Sequence, residues 1–356
     1  LGGILFIAGM VLTGFMNHLW QFYLYFGILI SISMAIFQVP LTVAVTQWFR
    51  KHLGIGMGLL QSSQGLGPLI AVPIVFLIFA NFGLEAAFII PGIDGGLILL
   101  LLVPLFYNPP GDINWRPLGA DPDEPIQKSQ TGEAAQVRNK VFIRTAQRTY
   151  AFWNLIGIHY WGCAGHAVII LYLVSMAEER GVSPASAAGA FVTLQVVSTV
   201  TRFGIPILAE HLGSKGVMAA CFFLQVAPVL ILFIAHDPWM FYLFAILFGI
   251  GFGGEMTAFP IINRQYYGNA PVGTTYGWQM MGAGAGMASG AFLGGLLRNF
   301  TGDFTLTMVL SLLLSMVGVV SILVLPSTSH HQIPNWEESL PDGYRSIPIQ
   351  SSNQAD

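Results

Sequence analysis

Arg202 is a charged residue inside an apolar run, Ala185 to Ala209, and it is the sharpest chemical signal in the chain. On insertion scales a charge near the middle of a membrane helix costs roughly 2.5–3.5 kcal/mol, so such a residue usually faces a cavity or a partner. Guanidinium keeps its proton and offers a two-pronged fork to a carboxylate. Contact with an anionic solute, or a gating role, follows from that chemistry. The plainer alternatives are a side chain that snorkels to the helix end or an ion pair with Glu210, about two turns on. Two acids, Glu255 and Asp94, also interrupt apolar runs. Glu255 follows Gly249-Ile250-Gly251-Phe252-Gly253-Gly254, where neighbours can approach closely, and a carboxyl enclosed there could take up and release a proton. A hydrogen-bonded structural acid is the competing reading. Asp94, beside Gly92, Gly95 and Gly96, is a second proton candidate, for which a structural role is the simpler account.

His159, Cys163 and His166 fall at i, i+4 and i+7, one helical face. Imidazole and thiolate are good transition-metal ligands. No fourth ligand and no acidic metal motif accompany them, so the stripe reads as polar lining with Tyr160 and Trp161, and no metal site is assigned. Gln38, Gln61, Gln64, Gln195 and Gln279 could add polarity to a cavity or join helices by hydrogen bonds. Arg202, His159, Tyr160, His166 and Gln279 form the candidate solute-binding set.

Such residues need a scaffold, and composition says which. The 356 residues include 14 Lys+Arg and 17 Asp+Glu, a net charge of −3, and only 9% are charged against 54% hydrophobic and 13% aromatic. Soluble domains carry about 25% charged residues. A water-soluble surface cannot be covered this way, which excludes a soluble enzyme, a disordered chain and a nucleic-acid binder; the partner is a lipid bilayer. Cys163 and Cys221 both sit in apolar runs and suggest neither disulfide nor zinc. No Gly-rich loop ending in Gly-Lys-Ser/Thr is present, so no nucleotide or other cofactor is expected.

A helix crosses the hydrocarbon core with about 20 apolar residues. On that scale the sequence predicts ten spans, at 1–16, 20–46, 54–80, 86–107, 150–177, 185–209, 216–235, 239–262, 272–297 and 304–325. The alternating ten-residue stretches of a β-barrel are absent. The organisation is therefore an all-α membrane protein. Residues 1–107 form a partial N-terminal bundle of four spans, 108–149 a central loop, 150–326 a C-terminal six-helix bundle, and 327–356 a polar, Ser/Pro-rich tail expected to be disordered. Placing the loop after span two in the cytoplasm collects Arg50, Lys51, Arg116, Lys128, Arg138, Lys140, Arg144, Arg148, Lys215, Arg264 and Arg345 on that side, against Arg180 and Arg298 on the other. That bias makes the central loop and tail cytoplasmic. Within the loop, residues 134–148 carry Val137, Val141 and Phe142 on one side and basic residues elsewhere, a pattern suited to an interfacial helix; a topology signal alone is the alternative.

Two loops look like copies. Trp48-Phe49-Arg50-Lys51-His52-Leu53-Gly54-Ile55-Gly56-Met57-Gly58 and Tyr266-Tyr267-Gly268-Asn269-Ala270-Pro271-Val272-Gly273 each lead into a Gly-rich helix. Internal repeats of this kind mark secondary transporters. Six spans in the second half and four in the first imply two more ahead of Leu1, which has neither an initiator Met nor a charged leader.

At the stretch Arg202-Phe203-Gly204-Ile205-Pro206-Ile207-Leu208-Ala209-Glu210-His211-Leu212-Gly213-Ser214-Lys215 the sequence resembles the loop motif of the major facilitator superfamily. Pro206 stands where a Gly is common and Glu210 where Asp is usual. More narrowly, the chain is similar to the monocarboxylate transporter and oxalate/formate antiporter branch, in Trp48-Phe49-Arg50-Lys51 with Gly54, Gly56 and Gly58, in Trp115-Arg116-Pro117-Leu118-Gly119-Ala120-Asp121, and in Arg144-Thr145-Ala146-Gln147-Arg148-Thr149-Tyr150-Ala151-Phe152-Trp153. The resemblance implies twelve helices in two bundles, ten of them present here, that rock about a central cavity. It implies that Arg202 meets the anionic substrate, and that Arg50, Lys51, Glu210 and Lys215 belong to gating loops. The oxalate branch carries a second cation in span nine, where this chain has Gly282 and Ala283, which favours a singly charged acid. Gly282, Gly286, Gly290 and Gly294 make a small-residue packing face, as do Gly54, Gly58 and Ser62; by analogy the face on span nine would be left exposed.

The leading expectation is a secondary transporter of a small organic anion, a monocarboxylate first, with a proton as a possible companion, in a plasma membrane such as the bacterial inner membrane. An exporter of amphipathic drugs on the same fold, and a membrane scaffold or sensor docking through the tail, are the alternatives.

Overall fold

Long apolar segments close every backbone hydrogen bond internally only as helices, and the computed structural model of the chain is helical throughout. It describes all residues except 107, 124, 125, 127–131, 269, 342 and 346–356, and no strand occurs among the described residues beyond an isolated bridge between Phe49 and Leu118. Lys128, Asn269 and the end of the tail therefore lie outside the described residues.

The helices in chain order are α1 (Gly2–Gly14), α2 (Leu19–Trp48), α3 (Leu53–Leu105), α4 (Gly132–Ala146), α5 (Tyr150–Glu179), α6 (Pro184–Leu212), α7 (Ser214–Ile234), α8 (Pro238–Tyr267), α9 (Gly273–Thr301) and α10 (Thr305–Leu323). Eight of them are long and apolar enough to cross a membrane, where the sequence predicts ten spans. The difference has two sources. Gly2–Gly14 is apolar but only 13 residues long, short of the core thickness. The predicted spans at 54–80 and 86–107 fall in one 53-residue stretch, which breaks between them at Gly83, where φ is 82° and the backbone leaves the helix. At 1.5 Å per residue a straight element of that length would reach about 80 Å, so the break at Gly83 is what lets it fold within a bilayer.

Caps set the boundaries near the site. The Thr149 hydroxyl accepts from Phe152 N–H at the start of α5, and Ser183 accepts from Ser186 N–H ahead of Pro184 at the start of α6. α8 has a 3₁₀ turn, Met256–Ala258, directly after Glu255, the kind of local tightening that marks a functional or strained position. The most enclosed spans are α8 and α5, buried over 72% and 61% of their apolar windows, against 17% for α2 and α3; the central element of this fold is therefore the C-terminal set.

Small residues decide how closely the helices meet. The glycine face of α9 is buried against α5 rather than left exposed: a Cβ at Gly286 or Gly290 would run into the carbonyl oxygens of Tyr160 and Ala164. On α3, a Cβ at Gly54 would stand 2.7 Å from Ile207 Cα of α6. Backbones approach because nothing projects between them.

The loop end is tied together by the segments that carry the family resemblance. Arg50 N–H donates to Leu118 O at 2.9 Å, Leu118 N–H to Trp48 O at 2.8 Å, and Trp48 and Trp115 meet edge to face at 6.2 Å. Helix α4 does not turn its apolar face to a membrane. Phe142 is fully buried, 5.5 Å from the Tyr267 ring and 5.2 Å from Trp336 of the tail. The tail, expected to be disordered, packs in place through Arg345: Trp336 and Leu340 are buried, Gln332 N–H donates to Tyr266 O at 2.9 Å, and Arg138 pairs with Glu337, donates to Tyr344 O at 2.9 Å and lies 4.9 Å over the Trp336 ring. Two aromatic residues in a polar tail outweigh its composition once α4 offers an apolar face to cover.

Candidate functional site

Three helices of the C-terminal half, α5, α7 and α8, meet at Glu255. The carboxylate is fully buried at the end of the α-helical part of α8; Oε2 lies 2.7 Å from His166 Nδ1 of α5 and accepts from Gln225 Nε2 of α7 at 2.9 Å. Oε1 has no hydrogen-bond partner. Glycine makes the approach possible, since a Cβ at Gly162 would collide with Oε1. A buried carboxylate is costly unless paired and hydrogen-bonded, and this one has an imidazole and an amide on one oxygen and neither on the other.

Arg202 projects from α6 and is 8% exposed, so it is enclosed rather than snorkelling. Its guanidinium carbon stands 5.2 Å from the Phe252 ring centroid, and its Nε has no hydrogen-bond partner. His166 meets the same ring edge to face at 4.9 Å. Phe252 therefore stands between the cation and the His166–Glu255 pair, and Arg202 makes no ion pair with Glu255. The alternative partner is otherwise engaged: Glu210 accepts Leu53 N–H at 3.0 Å and Gly54 N–H at 2.7 Å, capping the first turn of α3. An arginine fork beside an aromatic ring has the chemistry to receive a carboxylate.

His159 is fully buried, stacked on Phe259 at 3.9 Å with 10° between the planes, and both its ring nitrogens are unpartnered. Tyr160 faces α9 and accepts a hydrogen bond from Ser289 Oγ at 3.0 Å. Gln279 is committed elsewhere, exchanging two hydrogen bonds with Asn263 of α8 at 2.8 and 3.1 Å, which leaves its amide little to offer a solute. Asp94 is exposed on α3 and is not brought to the cluster. Among the gating candidates, Lys51 pairs with Asp121 at 3.2 Å and Lys215 Nζ donates to Leu325 O at 2.6 Å. Arg50 joins the loop pairing through its backbone N–H.

The structure adds a carboxylate to the sequence stripe. Ligand atoms of Cys163, His166 and Glu255 lie within 4.8 Å of one another. Two ligands of one tetrahedral zinc, at bonds of about 2.0–2.1 Å, stand about 3.4 Å apart, whereas His166 and Glu255 are at hydrogen-bond distance. The pair has the geometry of a shared proton. Sequence reasoning missed Gln225, Phe252, Phe259 and Asn263. Gln225 had a readable signal, an amide inside the apolar run 216–235; the aromatics had none.

The sequence model of the Major Facilitator Superfamily matches residues 1–213 and 160–348. Monocarboxylate transporter 12 of Xenopus laevis is 24% identical over 332 residues, 87% of this chain and 70% of that protein. Monocarboxylate transporter 12 of Rattus norvegicus is 24% identical over 78% of this chain, which spans 60% of the rat protein. An uncharacterized transporter of the same superfamily, YhjX of Escherichia coli (strain K12), is 24% identical over 80% of this chain and 67% of that one. Among solved structures, the E. coli fucose:proton symporter FucP superposes with a TM-score of 0.66 at 16% identity, covering 90% of this chain and 81% of that one. The proton:xylose symporter XylE gives 0.65 at 12%, covering 96% and 82%.

Proposed function

Since the chain belongs to the Major Facilitator Superfamily, a family of multi-pass membrane transporters rather than enzymes, we propose that it moves a small organic anion, a monocarboxylate first, by alternating access. The observation that carries this is Arg202: a buried, permanently charged fork with an unpartnered Nε, lying against the Phe252 ring. Keeping such a charge in a membrane helix is expensive unless something pairs with it, and a substrate carboxylate supplies that pair. The names of the matching relatives agree with this substrate class. His159, with two unpartnered ring nitrogens, is the next polar group for the solute.

A proton travels with the anion in this scheme, on the His166–Glu255 pair. Neutralising Glu255 would loosen its hold on His166 and Gln225, which join α5, α7 and α8, so protonation and helix arrangement are linked. The bundles rock against each other at the loop end, where Glu210 caps α3 across the α3–α6 seam. We place the protein in the plasma membrane with residues 108–149 and the tail in the cytoplasm, on the bias of basic residues.

Uptake of labelled lactate, pyruvate and formate into proteoliposomes under an imposed pH gradient tests the scheme. Gradient-driven uptake is expected in the wild type and is lost in Arg202→Gln. Equal uptake in the variant would remove Arg202 from the site; no uptake of any acid by folded wild type would overturn the monocarboxylate assignment.

A further inference from the structure

Helix α4 ends in a run of cations that the transport scheme leaves unused. Lys140, Arg144 and Arg148 are each exposed and follow one another at four-residue spacing, which keeps Lys140 and Arg144 on one face of the helix. Arg148 lies in the turn that leads into α5, where Arg148 N–H donates to Thr145 O at 3.2 Å. No acid shares this edge among the described residues: Glu337 is taken by Arg138 on the other side of α4, and Glu133 lies in its first turn. Immediately beyond the cations, in the first turn of the α5 span, Tyr150 and Trp153 are 59% and 54% exposed. Trp153 is held in position by its indole N–H, which donates to Gln147 O at 2.8 Å between Arg144 and Arg148, and its ring lies 6.4 Å from Trp278 of α9.

We propose that this seam is a binding site for the headgroup of an anionic phospholipid. The three cations meet the phosphate and any further headgroup charge, and Tyr150, Trp153 and Trp278 rest at the level where headgroup meets acyl chain. Aromatic side chains of this type concentrate at that depth in a bilayer, and cations just outside a span attract anionic lipid with about 1 kcal/mol each. The aromatic shelf selects a lipid over free phosphate, because a soluble anion has no acyl chain to lie along it. The apolar side of α4 is not available for membrane insertion, since Phe142 is enclosed by Tyr267 and Trp336. The helix thus meets the bilayer through its charges alone, which makes the contact depend on headgroup chemistry.

The test uses the whole protein in nanodiscs of phosphatidylcholine with about one third brominated phosphatidylglycerol, and a triple variant, Lys140→Gln/Arg144→Gln/Arg148→Gln. Native mass spectrometry counts lipids that stay bound, and tryptophan quenching reports contact at the seam, with Trp153→Phe identifying the responding ring. Selective retention of phosphatidylglycerol by wild type, with quenching that falls at least threefold in both variants and is unaffected by millimolar inorganic phosphate, is the expected result. Equal retention of the two lipids by wild type, or unchanged selectivity in a folded triple variant, would overturn the proposal. Displacement by inorganic phosphate would also overturn it, because the site would then be one for a free anion. None of these readouts requires transport.

Discussion

At the scale of single residues, the proposed site divides its labour between two charges that do not touch. Arg202 cannot change its charge, whereas His166 and Glu255 can exchange a proton, and Phe252 stands between them. Glu255→Gln preserves shape and a hydrogen-bonding oxygen for Gln225 but cannot be ionised. The variant is expected to lose pH-driven accumulation at least tenfold while still exchanging internal for external substrate, measured by counterflow in preloaded vesicles. A variant that accumulates substrate like wild type would take the proton off Glu255. Arg202 was legible in the sequence because a lone cation in an apolar run has few explanations. Its surroundings were not. His166 and Glu255 are 89 positions apart, and Gln279 looked as available as any other glutamine until Asn263 faced it. Which polar side chain meets which depends on the rotation of each helix about its axis, and apolar composition all round the helix leaves that rotation unspecified.

At the scale of elements, glycines set the distances on which those pairings depend. On α9, Gly290 lies against the Ala164 carbonyl, while Gly284 has open space around it. Gly290→Val should therefore push α9 off α5 and destabilise the fold by about 1–3 kcal/mol, the usual range for overpacking. Gly284→Ala should leave stability within about 0.5 kcal/mol of wild type or raise it slightly. Thermal unfolding of the two purified variants, side by side, checks both directions. Burial of Trp336 supplies a second test. Trp336→Ala should loosen α4, seen as faster amide exchange across Val137–Ala146 with the spans unchanged. Span positions followed from hydropathy with small errors at the ends. The gap left between 80 and 86 contains Gly83, where the backbone leaves the helix with a positive φ. The tail was misread because a window average dilutes two aromatic residues in polar surroundings.

At the scale of the whole molecule, α6 and α3 are held together at the loop end, where Glu210 accepts two N–H bonds from the first turn of α3. Hydrogen bonds to a charged group contribute about 1.5–3 kcal/mol each, and about 1.4 kcal/mol changes a population tenfold. In Glu210→Ala the amides of Leu53 and Gly54 should exchange at least tenfold faster by hydrogen–deuterium mass spectrometry, while those of α10 keep their wild-type rates. Unaltered exchange at Leu53 and Gly54 would mean that the contact does not hold α6 and α3 together. The all-helical membrane fold was legible because long apolar runs can close their backbone hydrogen bonds only as helices. Which conformation the halves adopt was not, because it is decided by a few capping bonds among residues more than 150 positions apart.

The strap between α4 and the tail imposes an order of events on biosynthesis. Phe142 is made early, and Trp336, which covers it, about 190 residues later. At about 5–20 residues per second of synthesis, α4 waits roughly 10–40 s with its apolar face uncovered while six spans are threaded into the bilayer. Arrival of the tail is then registered at a single place, where it closes over α4. A ribosome that stops short of Trp336 releases a protein whose helices are inserted but whose Phe142 still stands open to chaperones and proteases.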